Sequence, residues 1–143
     1  MLVSQILKSK GAEVVEIERH RSIRDAAELM MAHGIGAVLV RDGTGVCGIL
    51  SERDIARGVA AEGEGAARAA VETLMTVDIV TCAPTDKTDE LMTLMTNRRI
   101  RHLPVMAGGE LVGMVSIGDI VKARLTELES HSEALQTYIA GSI

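Results

Sequence analysis

One stretch of sequence occurs twice in this chain and decides the predicted fold. Gly48-Ile49-Leu50-Ser51-Glu52-Arg53-Asp54 recurs as Gly113-Met114-Val115-Ser116-Ile117-Gly118-Asp119, with glycine, serine and aspartate at matching positions. In each copy an apolar run typical of a strand ends at the serine, and a helical pattern begins directly after it. Each copy therefore predicts a strand that leads into a helix, with serine at the N-cap and aspartate three residues later.

The duplication extends over most of the chain. A shift of 65 residues brings Val15 onto Val80 and Val40 onto Val105, and no gap is needed between them. This period is longer than the ~20–50 residues of solenoid and propeller repeats, and the chain holds only two copies. Two copies of one half-domain predict a pair of repeats related by a pseudo-two-fold axis.

Each copy predicts the element order β-α-β-β-α. In the first copy Ser22 caps a helix that Gly34 ends, and the other segments are strands over 13–17, 37–40 and 46–50 and a helix from Glu52. The matching segments of the second copy are 79–82, 86–97, 102–106 and 111–115, followed by a helix from Ile117. The predicted fold class is α/β (α+β): two β-α-β-β-α repeats packed about a pseudo-two-fold axis, with an extended C-terminal helix.

The same patterns predict a first repeat over 1–62 with an N-terminal helix, a linker over 63–75, a second repeat over 76–126 and a helical tail over 127–143. Gly63 and Gly65 make one long helix through the linker unfavourable, so it is helical only toward Met75. The last helix has a heptad-like apolar stripe that Ser132 interrupts, formed by Val121, Leu125, Leu128, Leu135 and Ile139. This stripe is shorter than a coiled coil requires, so the helix packs either on its own module or on a second copy of the chain.

Composition excludes several classes of function. The chain has no Phe, no Trp and only Tyr138, so it lacks the aromatic platforms on which readers of single-stranded nucleic acid stack bases. Its net charge of −5 gives no general attraction to nucleic acid or to an anionic membrane. No apolar run reaches the ~18 residues of a membrane span, and the apolar stretch before Lys8 has no cleavage site. We therefore expect a cytoplasmic protein that binds neither nucleic acid nor membrane.

Other candidate motifs have structural explanations. Gly43–Gly48 matches G-x-G-x-x-G, but it joins a strand to a strand, whereas a dinucleotide-binding motif leads into a helix. Cys47 and Cys82 lie in apolar stretches and form no C-x-x-C pair, which favours buried free thiols. Ser51 has no histidine near it in the sequence, and the sequence has neither a metal-ligand cluster nor a paired-carboxylate motif. We therefore expect no enzyme, no catalytic residue and no metal site.

The two Ser-x-x-Asp motifs allow two interpretations. As a capping box, the serine and aspartate only satisfy backbone groups at the start of a helix. As a ligand site, the helix start offers free N–H groups and a positive dipole to a phosphate, and the aspartate accepts hydrogen bonds from a ribose diol. The residues alone leave both interpretations open.

The repeats resemble the cystathionine β-synthase-type (CBS) domain family. The likeness is carried by the β-α-β-β-α order, by the two Gly-x-x-Ser-x-x-Asp stretches and by Ile100–Val105, and it covers about residues 8–125. It implies a stand-alone tandem pair, a Bateman module, whose two halves form two clefts. In this family the clefts bind adenosine-containing ligands such as AMP, ADP, ATP and S-adenosylmethionine, and no cofactor is required.

The resemblance also implies the residues of two ligand sites. The first would use Ser51 and Asp54 for phosphate and ribose, with an adenine pocket from Ile49 and, across the pseudo-axis, Asp78, Val80, Ile100, Arg101 and His102. The second would use Ser116 and Asp119 with Met114 and, across the axis, Lys10, Glu13, Val15, Ile35, Gly36 and Ala37.

The two predicted sites are not equivalent, because Arg53 in the first motif stands where the second has Gly118. Arg98 and Arg99 either favour an anion at the first site or only complement the end of a helix. We expect His102 to be a core histidine rather than a metal ligand, since no second His or Cys is spaced to join it.

Two functions follow from these residues and the resemblance. The first is a regulatory sensor that binds an adenosine-containing ligand, and the alternative is a ligand-free interaction or scaffold module in which Ser-x-x-Asp only caps a helix. The resemblance further implies a homodimer in which the tail helix packs on a second copy, together with Leu2, Ile6 and Leu7. A separately encoded target protein is a further expected partner.

Overall fold

The computed structural model of this chain describes residues 1–43 and 45–141, which form two compact units. Val14–Ile79 form the first-repeat unit, and Met1–Glu13 together with Val80–Ile143 form the second-repeat unit. The boundaries predicted from the sequence put residues 1–13 with the first repeat and 76–79 with the second, and the structure places each segment in the other unit. The reason is packing: Val3 and Ile6 are buried in the core of the second-repeat unit.

The first-repeat unit has the predicted β-α-β-β-α order followed by short helices. Its elements are β1 (Glu16–Glu18), α2 (Ile23–His33), β2 (Ala37–Asp42), β3 (Gly45–Ser51), α3 (Glu52–Glu62), a 3-10 helix (Gly63–Arg68) and α4 (Val71–Leu74). The sheet order is β1-β2-β3, with β1 parallel to β2 and β2 antiparallel to β3. The segment predicted as a linker is thus two short helices that belong to this unit.

The second-repeat unit begins with a helix from the start of the chain. Its elements are α1 (Val3–Lys10), α5 (Thr88–Arg98), β4 (His102–Ala107), β5 (Glu110–Ser116) and α6 (Ile117–Gly141), and β4 pairs antiparallel with β5. The mixed α/β fold and the long C-terminal helix are confirmed. No helix in the described part of the chain is both long and apolar enough to cross a membrane.

The strand predicted over 79–82 is reduced to a single parallel bridge between Cys82 and Val105. In the first repeat the Leu39 N–H donates to the Val15 carbonyl oxygen over 3.1 Å and extends the parallel ladder. The residue that the 65-residue shift matches to Leu39 is Pro104, which has no N–H to donate. The proline therefore shortens the ladder in the second repeat.

The two hairpins keep the duplication in detail. The strand register shifts between Val40 and Arg41 in the first hairpin and between Val105 and Met106 in the second, which are matching positions. Because β2 and β3 are antiparallel partners, Gly43–Gly48 belongs to a hairpin, as predicted, although Thr44 lies outside the described residues.

Helix α2 begins and ends as the sequence predicts. The Asp25 N–H donates to the Ser22 hydroxyl oxygen over 3.0 Å, and Gly34 ends the helix with φ 64°. At the matching end of α5, Arg99 takes the same left-handed conformation with φ 55°. A non-glycine residue thus fills a position that favours glycine.

Aliphatic residues and methionine build both cores. The first-repeat core consists of Ile17, Ile23, Ala26, Met30, Val38, Val40, Leu50 and Val71. The second-repeat core consists of Val3, Ile6, Cys82, Leu91, Met95, Leu103, Val105, Val115, Ile120 and Ala123. Ile6 is buried in this core, so the expectation that it faces a second copy is wrong, whereas Leu7 packs against the core and is only partly buried.

Both cysteines are free thiols. Cys82 is buried, and burial raises the pKa of its thiol to about 12. Cys47 is half-buried: burial raises the pKa of its thiol, and its Sγ donates to the Val40 carbonyl oxygen over 3.5 Å. Neither thiol is therefore activated as a nucleophile.

Candidate functional site

The first Ser-x-x-Asp motif forms a reciprocal cap where β3 ends and α3 begins. The Asp54 N–H donates to the Ser51 hydroxyl oxygen over 3.3 Å, while the Ser51 N–H donates to Oδ2 of Asp54 over 2.9 Å. The second motif repeats this where β5 meets α6, with 3.2 Å from the Asp119 N–H to the Ser116 hydroxyl and 2.9 Å from the Ser116 N–H to Oδ2 of Asp119. Both motifs are therefore capping boxes in the structure.

Each aspartate has a further partner, and the two partners differ in charge. The Thr76 hydroxyl donates to Oδ1 of Asp54 over 3.2 Å. The Lys10 ammonium donates to Oδ2 of Asp119 over 2.7 Å and forms an ion pair with it. Thr76 was not among the residues predicted for the site, although the 65-residue shift places it opposite Gly11, next to Lys10.

Thr76 reaches Asp54 because its backbone pairs with β3. The Ile49 N–H donates to the Thr76 carbonyl oxygen over 2.9 Å, and the Thr76 N–H donates back to the Ile49 carbonyl oxygen over 2.8 Å. These two bonds hold the segment after α4 along the strand that ends at Ser51. The neighbouring Asp78, which was predicted across the pseudo-axis, consequently lies in the same unit as Ser51.

The glycine that opens each motif gives room for this packing. A Cβ at Gly48 would lie 2.5 Å from Sδ of Met75 and 3.0 Å from the Thr76 carbonyl oxygen. A Cβ at Gly113 would lie 2.8 Å from Cδ2 of Leu7 on α1. In both units the glycine thus lets a neighbouring segment lie close against the strand.

The two aspartates differ in exposure and electrostatics. Asp54 is 8% exposed. The side chain of Asp119 is 23% exposed. Burial raises the pKa of its carboxyl, but the hydrogen bonds from Lys10 and from the Ser116 N–H lower that pKa by more than burial raises it. The net result is a pKa below the usual carboxyl value, so Asp119 is an anion at neutral pH.

The structure divides the other predicted site residues between the two units. Ile49 and Asp78 lie in the unit of Asp54, and Met114 lies in the unit of Asp119. Lys10 and Glu13, predicted across the axis from Asp119, belong to its own unit because α1 packs there. Four residues predicted for the Asp54 site belong to the second-repeat unit: Val80, Ile100, Arg101 and His102. Four residues predicted for the Asp119 site belong to the first-repeat unit: Val15, Ile35, Gly36 and Ala37.

The backbone groups of the basic residues before β4 take part in the secondary structure. The N–H of Arg99 donates to the Met95 and Thr96 carbonyl oxygens, so this residue ends α5. The Arg101 carbonyl oxygen accepts from the Ile117 N–H over 2.8 Å at the start of α6. His102 is half-buried and pairs with Ser116 in the β4–β5 ladder. No group of three potential metal ligands occurs within residues 1–43 and 45–141.

Comparisons with known proteins agree with the duplicated fold. The family model of the CBS domain matches residues 3–61 and 71–126. The chain is 34% identical over 148 residues to the CBS domain-containing protein CBSX3, mitochondrial, of Arabidopsis thaliana, covering 97% of this chain and 72% of that protein.

Solved structures show the same likeness. The CBS-domain protein ATU1752 of Agrobacterium tumefaciens is 44% identical with a TM-score of 0.85, over 86% of this chain and 92% of that one. The CBS domain pair of protein MJ0100, in complex with 5'-methylthioadenosine and S-adenosyl-L-methionine, is 26% identical with a TM-score of 0.75, over 86% of this chain and 98% of that one. With both repeats matched by the family model, the chain belongs to the CBS-domain family and carries two CBS domains in tandem.

Proposed function

We propose that this chain is a regulatory module that binds adenosine-containing ligands at its two Ser-x-x-Asp helix starts. The observation that carries the proposal is the pair of matching strand-to-helix junctions in a chain similar to a CBS pair whose structure holds 5'-methylthioadenosine and S-adenosylmethionine. A ligand that binds one shape of the module better than another would shift its conformational equilibrium.

The proposed roles follow from the chemistry at each junction. The start of α3 or α6 presents N–H groups and a positive dipole end to a phosphate, and Ser51 or Ser116 adds a hydroxyl. Asp54 or Asp119 accepts hydrogen bonds from the ribose. We propose AMP, ADP, ATP or S-adenosylmethionine as ligands, and the adenine-pocket residues carried over from the family stay predictions.

A ligand-free interaction or scaffold module is the second candidate. It is favoured by the reciprocal hydrogen bonds of both motifs, which already satisfy the helix starts without a ligand. Several expectations stay predictions. They are the lack of an enzymatic activity, of a required cofactor and of nucleic-acid or membrane binding, the cytoplasmic location, and the separately encoded target protein.

Ligand titration separates the two candidates. We expect AMP, ADP, ATP or S-adenosylmethionine at 100 times its Kd to stabilise the chain by about 2.7 kcal/mol, seen as a rise in Tm. Asp54→Ala and Asp119→Ala should each weaken binding at one site in calorimetric titrations. Ser22→Ala is the matched control, because it removes a helix cap outside both motifs. If none of the four ligands binds, the ligand-binding function fails and the ligand-free scaffold function is favoured. If all three variants bind as the unaltered chain does, the ligand does not bind through Asp54 and Asp119.

The C-terminal helix offers a surface for a second copy of the chain. Every residue over 128–141 of α6 is exposed, and isolated helices of ~12–15 residues are only marginally stable in water. The apolar stripe on this helix includes Leu125, Leu128 and Leu135, which are 55%, 56% and 53% exposed. A helix of this kind gains stability when its stripe is covered.

Charge complementarity favours a second copy as the partner. With Leu128 and Leu135 at heptad position d and Leu125 at position a, a parallel pair places Arg124 at position g opposite Glu129 at position e of the second copy. Arg124 also forms an ion pair with Glu127 of its own helix over 2.7 Å, so it would lie between two carboxylates in the dimer. We therefore propose a homodimer that buries this stripe.

Light scattering after size exclusion tests the homodimer. The unaltered chain should give a dimer mass at micromolar concentration, and Leu128→Asp with Leu135→Asp should give a monomer. Ser130→Asp is the matched control, because position f faces away from the stripe. A monomer mass for the unaltered chain would contradict this proposal.

A further inference from the structure

Two charged groups of the second-repeat unit meet at the start of α6. Lys10 is the last residue of α1, and its Nζ lies 2.7 Å from Oδ2 of Asp119. Their side chains are 37% and 23% exposed, respectively, so both groups are partly accessible to solvent. An ion pair in such a position is partly screened and contributes little to stability, which makes it exchangeable with a ligand.

The matching aspartate of the first-repeat unit is held by neutral donors. The Ser51 hydroxyl donates to Oδ2 of Asp54 over 3.1 Å, and the Thr76 hydroxyl donates to Oδ1 over 3.2 Å. The residue that the 65-residue shift matches to Lys10 is Met75, whose Sδ lies beside Gly48. The contact of a cation with Asp119 is thus one difference between the two helix starts, besides the exchange of Arg53 for Gly118.

A ribose that donates hydrogen bonds to Asp119 competes with Lys10 for the same carboxylate. The displaced ammonium would stand close to the positive dipole end of α6, where a cation is unfavourable without a counter-charge. A phosphate on the ligand supplies that counter-charge and accepts the ammonium's hydrogen bonds. An uncharged nucleoside supplies no counter-charge and no phosphate oxygen to accept these hydrogen bonds.

We propose that Lys10 is a specificity-determining residue that makes the Asp119 site select phosphorylated adenosine ligands over uncharged nucleosides. This inference rests on the proposed function, since it requires the site to take a ribose. In this arrangement Lys10 binds the phosphate of the ligand and Asp119 binds its ribose.

Calorimetric titration of AMP and adenosine tests the inference in a chain with one working site. Asp54→Ala supplies that background, and Asp54→Asn, which keeps the shape of the side chain, is made in parallel in case the alanine variant does not fold. Adding Lys10→Met should weaken AMP binding about tenfold, because a charge-assisted contact is lost. Adenosine binding should stay the same or tighten, and Lys10→Arg should restore the preference for AMP.

The outcomes separate this inference from the proposed function. An unchanged ratio of AMP to adenosine affinity after Lys10→Met would overturn the role of Lys10 while leaving ligand binding intact. The role of Lys10 is also overturned if Lys10→Met lowers the Tm and weakens both ligands equally, because the residue is then only structural. If neither AMP nor adenosine binds the unaltered chain or the single-site background, the proposed nucleotide site fails and the role of Lys10 fails with it.

Discussion

The helix starts at Ser51 and Ser116 share a cap and differ in the residue that reaches their aspartate. Both motifs make the same two reciprocal hydrogen bonds between serine and aspartate. Thr76 adds a neutral hydroxyl at Asp54, whereas Lys10 adds a cation at Asp119. The two copies thus share the backbone geometry of the motif, while a residue from a neighbouring segment makes a neutral contact with one aspartate and a charged contact with the other.

Gly48 and Gly113, the first residues of the two motifs, also differ in the atoms packed against them. We expect Gly48→Ala to have the largest effect on stability. Its Cβ would meet Sδ of Met75 at 2.5 Å and the backbone oxygen of Thr76 at 3.0 Å, and the backbone cannot move freely. We expect a loss of about 2–3 kcal/mol in the free energy of unfolding by urea. Gly113→Ala should cost only ~1 kcal/mol, because it meets the flexible end of Leu7.

Gly45→Ala is the control for this pair of glycines. A Cβ at Gly45 would meet no atom within 4 Å, and we expect a change of under ~0.5 kcal/mol. Equal losses for Gly48→Ala and Gly113→Ala would show that the two strands are packed alike, contrary to the structure.

The helix ends at Gly34 and Arg99 provide the next largest effect. Both residues are left-handed, with φ 64° and 55°, which costs a side-chain-bearing residue about 1 kcal/mol or more. Gly34→Arg should therefore destabilise the chain by ~1 kcal/mol, and Arg99→Gly should stabilise it by somewhat less. Thermal unfolding of the two variants measures both, and a loss of stability in Arg99→Gly would show that its side chain outweighs the backbone strain.

The Lys10–Asp119 pair should give the smallest effect, with a distinct dependence on pH. The folded-state pKa of Asp119 is lowered, so its contribution is present above the unfolded-state pKa and is lost as pH falls through the folded-state pKa. A double-mutant cycle with Lys10→Met and Asp119→Asn should give about 0.5 kcal/mol of coupling at pH 7 and none at strongly acidic pH. A coupling that persists in acid would contradict an ionic contact.

Local patterns made much of this fold predictable. The element order and the caps at Ser22, Ser51 and Ser116 each depend on residues that are close in sequence. The strand predicted over 79–82 is shorter in the structure. The sequence contains the signal for this, because Pro104 lacks the N–H that Leu39 donates in the first repeat.

Non-local packing was not predictable in the same way. The apolar pattern of α1 is compatible with packing on either repeat. In the structure its apolar residues lie in the second-repeat core. Consequently Lys10 was predicted across the pseudo-axis from Asp119 rather than in ion-pair contact with it within one unit. Thr76 was missed because a hydroxyl outside the motif gives no pattern of its own.

The most direct test of a nucleotide-binding role is ligand retention by the unaltered chain and by the Asp54→Ala, Asp119→Ala double variant. With one Tyr and no Trp, the protein absorbs little in the ultraviolet range where aromatic side chains absorb, so a retained adenine chromophore dominates that part of its spectrum. After incubation with AMP, ADP, ATP or S-adenosylmethionine and equilibrium dialysis, the unaltered chain should retain at least one of these ligands, and the double variant should retain none. Absence of all four from the unaltered chain, or equal retention by the double variant, would contradict a nucleotide-binding role for the two motifs.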